Sequence, residues 1–223
     1  MRYVWEHTTI PIPYPYRALR LHDHTVIVMD FIAGERLDRA WPTLSLWSRL
    51  RVAWTLRSYV RQLRRILVPP PLFPGPLGLE PTECHGMGLS VLPLYLQERV
   101  WTTTDELLAA LKESAEDHFY EHHDGQEARP RPDCEDTGPL EFTHHDLNMH
   151  NVILGKDGRI WLIDWDYSGY YPRYFEYLSM YVPARSARAH SEPSFWSYCP
   201  FIPDPYFPVH AWLCGLPRPR KTP

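Results

Sequence analysis

The run THHDLNMHNVILGKDGRIWLIDWD, Thr143–Asp166, holds a charged loop, a hairpin and a second acidic position within one otherwise apolar stretch. Asp146 is followed five places later by Asn151, and then by the strand-like Val152-Ile153-Leu154. Gly155-Lys156-Asp157-Gly158 supplies turn chemistry, because Gly and Asp-Gly accept the backbone angles of a hairpin. A second apolar run, Ile160–Ile163, delivers Asp164.

Pairing alone predicts a geometry. A four-residue loop at 155–158 sets Leu154 opposite Arg159, Ile153 opposite Ile160, Val152 opposite Trp161 and Asn151 opposite Leu162. Side chains alternate along a strand, so Asn151, Leu162 and Asp164 are expected on one face. Asn151 and Asp164 are then diagonal neighbours, roughly 7–8 Å apart at the backbone. An amide oxygen and a carboxylate converging in this way suit a hard cation such as Mg²⁺. Asp146, just before the first strand, is placed beside such an ion without ligating it, as a base next to a metal-bound phosphate.

The spacing His144-x-Asp146-Leu147-x-x-x-Asn151, with Asp164 closing the next strand, is that of a kinase-type catalytic loop and its metal-binding aspartate. In wording, HHDLNMHN…LIDWD resembles the aminoglycoside phosphotransferase and choline kinase-like family, whose members read HGDLxxxN…IDWE. Thr25–Ile32 followed by Ala33-Gly34-Glu35-Arg36-Leu37 resembles that family's hinge, written V-M-E-x-I-x-G-E-x-L. Gly169–Tyr177 resembles the run G-x-Y-P-E-Y-W-E-Y that follows IDWE in its fungal-type branch and begins a helix, at whose N-terminus Glu176 is expected to pack.

The resemblance implies an α+β, protein-kinase-like fold. Residues 1–37 would be a remnant of the N-lobe with strand pair and hinge, 38–207 a mainly helical C-lobe carrying the catalytic-loop hairpin, and 208–223 a Pro-rich tail. It implies ATP and Mg²⁺ as cofactors and a small-molecule hydroxyl as acceptor. Asp146 would orient or deprotonate that hydroxyl, and Asn151 and Asp164 would hold the metal. His144 would be a structural member of the loop. The backbone of Asp30, Phe31 and Ile32 would meet adenine, with Met29 lining the pocket. His145 stands where the family has glycine, which implies crowding of the acceptor pocket, and Asp166 replaces the usual Glu.

The family's opening Gly-rich loop and strand lysine have no counterpart in the sequence. The lysines are Lys112, Lys156 and Lys221, all downstream of the hinge, and Glu6 is the one early carboxylate. Losing such a charge clamp from a desolvated site typically costs a factor of roughly 10²–10³ in rate. Two readings follow: a phosphotransferase, or a catalytically inactive kinase-like module that binds nucleotide or a partner.

The remaining chain bounds these readings. With 223 residues, 44% of them hydrophobic, it can bury a sizeable core. A net charge of −4 gives no electrostatic case for nucleic acid or an anionic membrane. The cysteines at 84, 134, 199 and 214 form no zinc-type pair, and no run reaches the ~20 apolar residues of a membrane span. A reduced, cytoplasmic protein is expected.

Met1–His7 is expected to be helical, and Arg17–Leu21 and Thr25–Ile32 to be strands about a His22-Asp23-His24 turn, the second strand buried by its β-branched run. The His-x-His of that turn is read as solvated rather than metal-binding. Ser45–Leu67 predicts a helix with Leu46, Leu50, Ala53, Val60, Leu63 and Leu67 inside and a solvated arginine face. Residues 69–103 are expected to be irregular. Thr103 and Glu106 form a capping box opening a helix to about Glu116, with His118, His122 and His123 at the entry to a polar loop through 139.

Overall fold

The computed structural model describes residues 1–22, 24–67, 73–78, 80–82, 99–122, 138–185 and 193–205. The expected loop residues at 123–137, the tail at 208–223, and Cys84, Cys134 and Cys214 lie outside them. Helix α1 (Arg2–His7) ends where Thr8 caps it, its amide donating to the Val4 carbonyl at 3.0 Å and its hydroxyl to the same oxygen at 2.8 Å. The proline-broken segment after it lies along the core, with the Pro11 carbonyl accepting from the Leu162 amide at 3.0 Å.

Strands β1 (Pro15–Leu21) and β2 (His24–Met29) form the expected antiparallel hairpin. Its predicted burial is corrected: Val26, Ile27, Val28 and Met29 are 39–43% exposed. The two strands form a sheet of their own, and β-branched composition fits any pleated surface, covered or not.

Two further sheets carry the functional stretch. One has β3 (Gly34–Arg36), β6 (Val152–Gly155) and β7 (Ile160–Leu162) in the order β3-β6-β7. The other has β4 (Gly75–Pro76), β5 (Glu141–Thr143) and β8 (Gly169–Tyr171) in the order β4-β8-β5. Strand β4 lies in the region expected to be irregular. Gly169 is required there, since a Cβ at that position would meet the Gly75 backbone and Pro76.

Helix α2 (Leu37–Ala40) leads through a 3₁₀ turn into the long α3 (Leu46–Leu63), capped by Ser45, whose hydroxyl accepts the Ser48 amide at 3.2 Å. The buried stripe of α3 is Val52, Ala53, Leu56, Tyr59, Val60 and Leu63; Leu46, Leu50 and Leu67, expected inside, are exposed. A helix buries about a third of its circumference, and this stripe is the one that meets Trp41, Ile160 and the sheet residues of the core.

Helix α4 (Thr104–His122) opens with the expected box: the Glu106 amide donates to the Thr103 hydroxyl at 3.2 Å, and the Glu106 carboxylate accepts the Thr103 amide at 3.3 Å. It continues past Glu116 through His118 and His122, which therefore lie on the helix and not at a loop entry; its run of Glu, Ala and Lys propagates helix well. Helix α5 (Phe175–Arg185) starts where the sequence run implied, and a short α6 (Pro193–Trp196) packs Phe195 edge-on against Trp41 at 5.1 Å. Among the described residues no helix is long and apolar enough to cross a membrane.

The hairpin register differs from expectation by one residue. Val152 faces Leu162, Ile153 faces Trp161 and Leu154 faces Ile160. Gly155 belongs to the ladder, its amide donating to the Arg159 carbonyl at 2.9 Å, so the loop is Lys156-Asp157-Gly158. Gly158 takes φ +79°, the left-handed residue that closes a three-residue hairpin. A one-residue slip exchanges the faces of a strand, so alternation alone would put Asp164 opposite to Asn151. Asp164 itself has φ +63°, so the chain leaves strand geometry there and the alternation rule no longer applies.

Candidate active site

The chain crosses from β5 to β6 through residues 144–151 and returns from β7 to β8 through residues 163–168. The functional stretch therefore occupies the gap between two small sheets, reached from both by short connections.

The first crossing is built around Asp146. The Nδ2 of Asn151 donates to its Oδ2 at 2.7 Å and to its carbonyl at 2.9 Å; the Nδ2 of Asn148 donates to its Oδ1 at 2.9 Å. Asn148 also caps the 3₁₀ turn Met149–Asn151, its Oδ1 accepting the His150 amide at 2.8 Å. Burial pushes the Asp146 carboxyl up, opposed by the two asparagine bonds and reinforced by the charge of Asp164. Because the Asn151 amide nitrogen is spent on Asp146, its Oδ1 is the atom left to accept or ligate.

His144 is fully buried, its ring 4.5 Å from that of Trp165. Nδ1 accepts the Asp146 amide at 3.3 Å, which assigns the proton to Nε2, 3.0 Å from the Ile163 carbonyl it donates to. Burial lowers this imidazole to about 4, so it is neutral and ties the two crossings together. His145 has φ +65°, a conformation glycine adopts without strain and histidine more readily than most residues. Its ring is fully buried 4.2 Å from Tyr171, and it does not line the cavity described below.

One residue sequence reasoning missed as part of the loop is Glu176. Its carboxylate, 1% exposed, accepts the His144 amide at 2.7 Å and the His145 amide at 3.3 Å. Successive amides about a left-handed residue converge in this way on an anion. Burial pushes this carboxyl to about 7, even with both amides and Arg64 opposing. The signal was present as a lone acid in the aromatic run Tyr174-Phe175-Glu176-Tyr177. Asn148 was the other omission; it read as one of three variable loop positions.

The second crossing brings Asp164 beside the first, since the Ile163 amide donates to the Asn151 carbonyl at 3.0 Å. Burial, then the charge of Asp166, pushes the Asp164 carboxyl up, offset by the Asp166 amide. Asp164 and Asp166 line a cavity of about 880 Å³ whose other wall is the β1–β2 hairpin, including Ile27 and Met29. Of the expected hinge residues only Met29 lines it. The Asp30 carboxylate is taken by the Tyr14 amide at 2.9 Å and the Tyr16 hydroxyl at 2.7 Å, and Phe31 is 92% exposed.

Among the described residues no three His, Cys, Asp or Glu side chains gather as a metal cage. A Mg²⁺ ion needs none, because it keeps waters and takes one or two protein carboxylates plus phosphate oxygens. Asp164 on the cavity wall, Asn151 Oδ1 nearby, and mutually repelling carboxylates at 146, 164 and 166 fit that requirement. The cavity's size and the Ala18, Ile27 and Met29 surface on its hairpin wall fit a nucleotide.

Comparison with known proteins gives the context. The chain is similar to the solved structures of spectinomycin phosphotransferase APH(9)-Ia in complex with ADP and spectinomycin (17% identity, TM-score 0.50, 96% of this chain and 66% of that one). It is likewise similar to ADP-bound APH(2'')-Ib (15%, 0.51, 96% and 67%) and to the gentamicin complex of APH(2'')-IIa (15%, 0.52, 96% and 66%). It spans about two thirds of their length, and at these identities the likeness shows the α+β kinase-like fold. No curated protein sequence matches the chain. The model of the APH phosphotransferase enzyme family matches residues 1–195, and the chain belongs to that family.

Proposed function

We propose that this protein is an ATP- and Mg²⁺-dependent phosphotransferase acting on the hydroxyl of a small molecule. The observation that carries the reading is the pairing of Asp146, gripped by Asn148 and Asn151, with Asp164 on the wall of a nucleotide-sized cavity. Bound Mg·ATP would supply an electrophilic γ-phosphoryl group whose charge the cation spreads. Asp164 and the Oδ1 of Asn151 are the groups to hold the ion.

Asp146 orients the acceptor hydroxyl and takes its proton. Its two asparagine bonds fix the carboxylate, and its raised pKa brings it toward the range in which a general base works best. His144, neutral and bonded to the Ile163 carbonyl, positions the loop and moves no proton. Met29 lines the base-binding side of the cavity, and Gly169–Tyr177 supports placement in the fungal-type branch.

The test is titration with Mg·ATP, with adenosine as the control, on the wild type and on Asp164→Ala and Asp146→Asn. Asp164→Ala should lose Mg²⁺-dependent binding, and Asp146→Asn should bind normally and turn over nothing. Binding of Mg·ATP that Asp164→Ala leaves untouched sinks the metal assignment; turnover by Asp146→Asn sinks the base.

A second reading, a kinase-like module that binds without turnover, is favoured by the position of Lys112 and Lys156, neither of which lines the cavity. It predicts nucleotide binding with no phosphorylated product across a panel of small alcohols.

A further inference from the structure

Two arginines line the cavity that Asp164 and Asp166 border: Arg2 from α1 and Arg17 from β1. Of the lysines within described elements, Lys112 is in α4 and Lys156 in the β6–β7 turn, and neither lines it. Other arginines of the fold are committed: Arg36 to Asp38, Arg57 to Asp204, and Arg64 to Glu141 and Asp204. Among the described residues Arg2 and Arg17 make no ion pair or side-chain hydrogen bond, so their guanidinium donors are available.

The backbone explains how Arg17 comes to the cavity. Pro15 pairs with Met29 and Arg17 with Val28, which leaves Tyr16 as an extra residue in β1. Such a bulge breaks strict alternation and re-aims neighbouring side chains, and Tyr16, Arg17 and Ala18 all line the same cavity. The hairpin wall that carries Ala18, Ile27 and Met29 thereby also carries an arginine, in the cavity that Asp164 and Asp166 border. A ligand with an anionic chain and a chelated cation satisfies both walls at once, and guanidinium groups hold phosphate oxygens in pairs.

We infer that Arg17, with Arg2 beside it, binds the polyphosphate of the nucleotide. This rests on the nucleotide reading proposed above.

Calorimetric titration of the wild type, Arg17→Ala, Arg17→Lys and Arg2→Ala with Mg·ATP, adenosine and sodium tripolyphosphate tests it. Arg17 is exposed, so Arg17→Ala should fold, and its urea midpoint checks this. Arg17→Ala should weaken Mg·ATP and tripolyphosphate roughly 10- to 100-fold, as expected for lost hydrogen bonds to a charged group, and leave adenosine unchanged. Arg17→Lys should recover part of the loss, and Arg2→Ala should show a smaller one. Mg·ATP bound equally by wild type and both alanine variants overturns the arginine assignment and leaves the nucleotide reading standing. Tripolyphosphate bound in an Arg17-dependent way, with no binding of adenosine or gain for ATP, supports the arginines and sinks the nucleotide. Failure of the wild type to bind any of the three overturns both.

Discussion

Glu176→Gln should change the pH dependence of stability in a direction and by an amount that the structure sets. Burial raises the Glu176 carboxyl from its ordinary 4.5 to about 7 in the folded protein. Below pH 4.5 the folded and unfolded chains both hold this proton. Between pH 4.5 and about 7 only the folded chain holds it, so this group's contribution falls as pH rises and is fully lost above about 7. The loss is about 3 kcal/mol, at 1.36 kcal/mol per pKa unit. The raw profile of the wild type does not isolate it, because burial lowers His144 to about 4 and His145 to about 3. Those two groups make stability fall as pH drops below 6.5, the opposite sign. Their slopes are common to both proteins and cancel in the difference. Glutamine keeps a carbonyl oxygen for the His144 amide and carries no charge, so any cost of its amide group is an offset independent of pH. Urea unfolding followed by tryptophan fluorescence at pH 4.5, 5.5, 6.5 and 8 measures the difference. The Gln variant should gain about 3 kcal/mol on the wild type between the lowest and highest pH. A difference flat to within about 1 kcal/mol, or one running the other way, refutes the placement of a buried, amide-bound carboxylate behind the loop.

His145→Asn tolerates the same left-handed backbone and should remove about one proton from the uptake on unfolding below pH 6.5, read as a shallower loss of stability between pH 7 and pH 5. Arg64, whose side chain is 11% exposed, holds Glu141 at 2.9 Å, Asp204 at 2.9 Å and the Pro203 carbonyl at 2.6 Å. Arg64→Ala removes one of the two arginines at Asp204 and the one at Glu141, and should cost about 3 kcal/mol by urea unfolding, with Arg64→Lys between the two. Gly158→Ala meets no atom within 4 Å but keeps φ +79°, so it should cost about 1–2 kcal/mol of backbone strain alone, seen as a lower thermal midpoint.

Much of the site was legible because its chemistry is local. Asp146 and Asn151 lie five residues apart, and asparagine bonding its neighbours' backbone is a short-range event. The Thr103–Glu106 box was readable for the same reason. Apart from Asn148 and the end of α4, the failures were matters of what lies across from a residue. Which stripe of α3 is buried depended on where Trp41 and β7 would sit. Whether β2 is covered depended on the layers around it, since its valines are equally consistent with either. Glu176 reaches the loop across 31–32 residues of sequence, and no periodicity announces that distance.

The hairpin shows the division most plainly. The residues of Thr143–Asp166 determined by themselves that two strands would meet about a glycine turn and that one carboxylate, an amide and a second carboxylate would gather near its mouth. The register is that of a three-residue loop, with the Gly155 amide bonded to the Arg159 carbonyl, and the turn residues suit a four-residue loop as well. Only the tertiary structure set Asp164 at φ +63°, let His145 take a glycine's conformation over a buried glutamate, and closed a cavity between the acids and the bulged strand. The physical reason is range: turns, caps and loop bonds are fixed by neighbours in sequence, whereas burial and facing charge are fixed by elements far apart in the chain.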